Sequence, residues 1–217
     1  MGADDGVSAA DTDRQASASR IVVSAFGAVV AFAGLEHGVG ELLQGPVTPT
    51  SWAIESWPNA AAFEILAGEP AMTIVPNLLV AGVLTIVVSL LFGAWAVSFV
   101  HRSGGGLVLI GLSVALLLVG GGFSPPIIGV VLGVAATRIG APSTRQPGPI
   151  LSAFAPLWPW ALGIGIAAYL GLFPGLVLLS GVTRVADAAV YGLAGTALLA
   201  MLLALVAARG ADRRRSS

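Results

Sequence analysis

The chain lacks cysteine and lysine altogether and carries little charge of either sign. Without cysteine there is no disulfide, thiolate metal site, iron–sulfur cluster or thiol chemistry. The absence of lysine leaves arginine as the basic residue beside two histidines, a bias we read as genome composition rather than chemistry. Charged residues make up 10% of the chain, against roughly 25% in a soluble domain. The net charge of −1 offers no basic surface for a nucleic-acid partner. Ten-residue strands of alternating hydropathy are missing, which argues against a β-barrel. Gly104-Gly105-Gly106 and Gly120-Gly121-Gly122 lack the Lys-Ser/Thr that follows a phosphate loop. No serine–histidine–acid triad is legible, so the composition favours a protein that is not an enzyme.

What the chain has instead is long apolar runs. Hydrophobic residues reach 56% and the mean hydropathy is +0.93. In lipid each backbone N–H and C=O must be satisfied within its own segment, so such runs form helices. The expected fold class is all-α: a polytopic transmembrane helical bundle of about six spans. The spans fall near 21–43, 73–100, 106–122, 125–139, 150–173 and 188–208. They form one domain over 20–208, between an acidic, disordered tail at 1–19 and a basic tail at 209–217. Two alternatives give five spans. In one, Ala31-Phe32-Ala33 is a signal-peptide cleavage site, although the preceding n-region is long and net negative. In the other, 107–137 is a single broken helix and not a hairpin turning at Gly120–Pro126. Each arm of such a hairpin covers roughly 23–25 Å, slightly short of a hydrocarbon core of about 30 Å.

Arginine placement orients the chain. The hairpin reading gathers Arg14, Arg20, Arg102, Arg138, Arg145 and the four C-terminal arginines on one side, leaving Arg184 apart. The expectation is a cell (inner) membrane protein with both termini cytoplasmic. No internal repeat points to a transporter's inverted halves.

Polar groups inside such a chain carry the functional information. Glu36, His37 and Glu41 stand at the end of the first span. His37 and Glu41 are i and i+4 and share a helix face, while Glu36 points about 100° away. The following connection, 44–72, brings Glu55, Glu64 and Glu69 and no arginine. Asn77 opens the second span, where it can hydrogen-bond across helices. Glu36, His37, Glu41, Glu64, Glu69 and Asn77 form the candidate polar or ligand site. Imidazole and carboxylates together suit a divalent cation or a shared proton, with the metal itself unspecified. The plain reading is a frayed helix end, with Gly34, Gly38 and Gly40 there for close packing. His37 and His101 fall at opposite faces and cannot share a haem, and no cofactor is specified. Trp52 and Trp57 suit the headgroup level, as does the Trp158-Pro159-Trp160 cluster. A short surface helix or an ordered loop fits 58–68. Arg184 and Asp187 are spaced to pair with each other.

Gly34-Leu35-Glu36-His37-Gly38-Val39-Gly40-Glu41, Ser56-Trp57-Pro58 and Gly68-Glu69-Pro70-Ala71-Met72-Thr73-Ile74-Val75-Pro76-Asn77-Leu78 resemble segments of a group of uncharacterised prokaryotic integral membrane proteins. The resemblance covers roughly 25–135 and implies no activity or site residue. Two functions follow as expectations. One is a protein that binds or passes a small ligand or cation at a polar site near the outer face. The alternative is a structural or regulatory subunit acting through helix–helix contacts. The partners expected are the lipid bilayer and another membrane protein or a second copy.

Overall fold

The computed structural model describes residues 17–139 and 148–215. Most of the acidic tail, Arg14, Arg145 and much of the 138–149 loop lie outside the described residues. The first helix, α1 (Ala18–Gln44), starts where Ser17 accepts a hydrogen bond from the Arg20 amide and ends at Gly45, whose φ is +78°. A segment with two short antiparallel strands follows, β1 (Ala53–Glu55) and β2 (Pro70–Met72), with a 3₁₀ turn at Ala61–Leu66 between them. Then come α2 (Leu78–Ser98), α3 (Gly105–Val119) and α4 (Ser124–Ala136). The chain continues through α5 (Pro149–Phe154), α6 (Trp158–Leu170) and α7 (Val177–Ser180) to the last helix, α8 (Asp187–Arg215).

This is an all-α bundle with four helical stretches long and apolar enough to cross a membrane: Ala18–Gln44, Leu78–Ser98, Leu151–Ser180 and Asp187–Arg215. The shorter apolar helices α3 and α4 pack against each other in antiparallel fashion. Gly106 lies against Gly133 and Thr137 at one end, and Gly129 lies against Ser113 further along. Gly120 and Gly122 take positive φ between them, and Pro125 and Pro126 occupy the first turn of α4, where their missing N–H groups are not needed. Within Leu151–Ser180, Phe173 leaves helical geometry beside Pro174.

The outside of the bundle is apolar. Leu79, Val83, Leu84, Val87, Leu90 and Leu91 on α2 are all exposed, a density that fits lipid and not water. Inside, Val22, Phe26, Val30, Phe92, Leu116 and Leu132 form a buried core around α1.

Lipid gives helices no hydrophobic reason to associate, so close packing of small residues must supply it. Helices α1 and α2 meet in this way. A Cβ on Gly82 would stand 2.5 Å from the Leu42 amide nitrogen and 2.6 Å from the Gly38 carbonyl oxygen. Gly34 lies against Ser89, and Gly27 against Ala96, along the same antiparallel seam.

Two ends follow from this topology. At the terminal end, the Asp212 carboxylate accepts from the amides of Ala18 (2.6 Å) and Ser19 (3.0 Å), so the last helix caps the first. Among the described residues the connection 99–104 falls at the same end, and 45–77, 120–123 and 181–186 fall at the opposite one. Arg20, Arg102, Arg138, Arg209 and Arg213–Arg215 belong to the terminal end, and Arg184 to the opposite, loop end.

Gly82→Ala should destabilise the protein by about 1–3 kcal/mol, because an extra carbon is forced between two backbones. Gly111 has nothing within 4 Å of its added Cβ. Gly111→Ala should be neutral or mildly stabilising, since alanine is the better helix former. Thermal unfolding of both variants in one detergent checks the pair, and equal melting temperatures would refute the seam.

Candidate functional site

At the loop end, α1 presents Glu36 and His37 on successive residues, and the connection between α1 and α2 folds over them. Ser56 and Trp57 continue the β1–β2 pairing. The Ser56 amide donates to the Glu69 carbonyl (3.1 Å) and the Trp57 amide to the Gly68 carbonyl (3.0 Å). Ser56 and Glu69 are thereby placed opposite each other, and both reach His37. Ala67, Gly68 and Glu69 all have φ between +53° and +69°. Left-handed backbone at two non-glycine residues costs of order 1–3 kcal/mol each and persists where surrounding structure imposes it. Here it turns Glu69 toward the helix.

His37 is 2% exposed. Its Nδ1 shares a 2.8 Å hydrogen bond with Ser56 Oγ, which leaves Nε2 facing the carboxylates. Nε2 lies 3.5 Å from Glu69 Oε2 and 3.9 Å from Glu36 Oε2. Glu36 accepts a further bond from the Trp57 indole N–H. One ligand atom from each of Glu36, His37 and Glu69 falls within 4.8 Å of the others.

The three side chains border a cavity of about 380 Å³ that Tyr169, Phe173 and Asp187 also line. Its size and its apolar walls with a few convergent polar groups match small-ligand sites in general. Asp187 adds a third carboxylate, and no arginine lines the cavity. Trp57 stacks on Phe63 at 4.5 Å, and Phe173, which lines the cavity, packs against both Phe63 and Phe32. Burial pushes the Glu69 carboxyl up to about 7.

The structure brings together three of the six residues the sequence singles out: Glu36, His37 and Glu69. Glu41 is fully buried but bonds to Thr85 and not to this group. Glu64 is exposed on the 3₁₀ turn, facing away. Asn77 does not bond across helices; its Oδ1 accepts from the Val80 amide and caps α2 (3.2 Å). Arg184 and Asp187 form no ion pair among the described residues; Asp187 sits in the first turn of α8, at the cavity. Trp57 donates its indole N–H to Glu36. Sequence reasoning missed Ser56, Trp57 and Tyr169. The Ser56-Trp57-Pro58 segment was visible as a motif, whereas a tyrosine inside an apolar span gave no signal.

The chain matches no protein-family model, no curated protein and no solved structure.

The pH dependence of stability reports on Glu69. In the unfolded chain this carboxyl loses its proton near its ordinary value of 4.5, whereas the folded protein keeps it to about 7. Between those values unfolding releases a proton, so stability falls as pH rises and levels off above about pH 7. Glu69→Gln should remove a fall of roughly 2–3 kcal/mol across that window. Melting curves of the two proteins that stay parallel from pH 4.5 to 7 would show that Glu69 is not buried in this way.

Proposed function

We propose that this protein is an integral membrane protein that binds a divalent transition cation in the chamber formed by Glu36, His37 and Glu69. The observation that carries the reading is the convergence of one imidazole nitrogen and two carboxylate oxygens within 4.8 Å at the edge of a cavity. Imidazole with carboxylates suits Zn²⁺, Mn²⁺ or Fe²⁺ better than Ca²⁺ or Mg²⁺, which prefer oxygen alone. Ser56 supports this assignment: Nδ1–H donates to its Oγ while Nε2 takes the metal, as metal-ligating histidines usually require. Two carboxylates this close resist joint ionisation unless a cation or proton sits between them. Three protein ligands leave a coordination position open toward the cavity. The apolar core beneath, with Phe26, Phe92 and Leu132, supports a binding site closed on its inner side rather than an open channel.

In this reading the chain lies in the cytoplasmic membrane with both termini in the cytoplasm, and the chamber opens at the outer face. The arginines at the terminal end support that orientation.

Micromolar Zn²⁺ or Mn²⁺ should raise the melting temperature of the purified protein, because a ligand held only by the folded state adds about 2.7 kcal/mol at a hundred times its Kd. His37→Ala and Glu69→Gln should each abolish the rise, and Glu64→Gln should keep it. A rise that survives His37→Ala, or no rise with any divalent cation, overturns the site.

Orientation has its own check in the cysteine-free chain. Ser124 is exposed beside the chamber. Ser124→Cys should react with a membrane-impermeant thiol reagent added from outside intact cells. Labelling from the cytoplasmic side alone would invert the topology.

A further inference from the structure

Glu41 is a second polar group at membrane depth, and the chamber does not use it. It is fully buried where α1, α2 and the end of α3 meet, and it does not line the cavity. Neither an ion pair nor a hydrogen bond joins it to Glu36, His37 or Glu69 among the described residues. Its surroundings can be counted proton by proton. Thr85 Oγ1 lies 3.0 Å from the Val119 carbonyl oxygen and 3.3 Å from Glu41 Oε2. A hydroxyl has one proton to donate. The shorter contact takes it to Val119, the last residue of α3, whose carbonyl also receives Thr73 Oγ1 (3.2 Å). The bond between Thr85 and Glu41 then needs a proton on the carboxyl. The other oxygen, Oε1, is buried with no hydrogen-bond partner. An ionised carboxylate would keep at most one long bond, and burying an anion so poorly solvated is prohibitive. Among the described residues no cation forms an ion pair with it. Among the described residues the charged group that acts on it is Glu36, on its own helix. Thr85 and Ser89 on α2 and Gly120–Gly122 after α3 bring none.

We propose that Glu41 is a proton-binding site: a neutral carboxylic acid that donates to Thr85, which in turn donates to the Val119 carbonyl at the end of α3. A bare proton, and not a metal ion, suits the space. Gly120 leaves no room beside the carboxylate, since a Cβ there would overlap both oxygens. The same strip of backbone lies against the chamber, because a Cβ on Gly122 would overlap the His37 ring. Both residues have positive φ (+127° and +76°), so glycine is required twice over. One glycine strip thus touches both groups, Glu41 through Gly120 and His37 through Gly122. The proton site stands whether or not the chamber holds a metal ion.

Infrared spectroscopy of the purified, metal-free protein in lipid vesicles near neutral pH tests it. The spectrum should contain a protonated-carboxyl C=O band that is lost in Glu41→Gln and kept in Glu64→Gln. Gln reproduces the donor to Thr85, so this variant should fold. Should it not, Thr85→Val gives an independent reading, because removing the acceptor should shift the same band. A spectrum with no band that depends on Glu41 or Thr85 overturns the proposal. So does a melting temperature that rises in NaCl over choline chloride in the native protein but not in Glu41→Gln, with no acid band, since sodium would then be the occupant.

Discussion

The close approach of α1 and α2 is the constraint on which the rest depends. Their backbones touch through Gly38 and Gly82, with the Gly34–Ser89 and Gly27–Ala96 contacts further along the seam. In lipid this contact replaces the hydrophobic effect as the reason for two helices to associate. It also decides where the polar groups of α1 point. A helix carrying Glu36, His37 and Glu41 could not face acyl chains, because each group would lose its hydration with nothing in return. The seam turns His37 and Glu41 inward, and Glu36 is left at its edge, where the loop can cover it. Glycines that read as packing residues in the sequence are therefore also what makes the polar turn tolerable.

The helical part of the fold was legible for a physical reason. Span length and apolar composition are imposed by the bilayer, so they are written into the sequence locally. Glycine and proline marked the break at Gly120–Pro126 because φ restrictions are local too. The connection 44–77 was not legible to the same degree. Its strands are three residues long, and their register depends on the surface they cover. That register decides that Glu69 reaches His37 and that Glu64 does not. Asn77 was singled out correctly as a polar group near a span end, but its work is local: it caps a helix. The i, i+4 rule placed His37 and Glu41 on one face, and both are indeed buried there. The rule could not see that the Gly120–Gly122 strip packs against both, Gly120 on Glu41 and Gly122 on His37. Nor could it see that Glu36, about 100° away, would be recovered by the length of its side chain and by the Trp57 indole.

One turn of α1 thus faces two unlike environments. The Glu36–His37 side opens into a cavity with carboxylates, aromatic rings and room for a ligand. The Glu41 side is fully buried and filled to contact. The difference comes from what packs above each residue and not from the helix itself. A carboxylate beside a cavity can be neutralised by any small cation that enters. A carboxylate pressed against a glycine Cα can be neutralised only by something with no volume. This is why the same residue type, five positions apart, suits a metal ligand in one place and a carboxylic acid in the other. Positive φ at Gly120 and Gly122 keeps side chains off the backbone at both contacts, so one strip can press on Glu41 and on His37 at once.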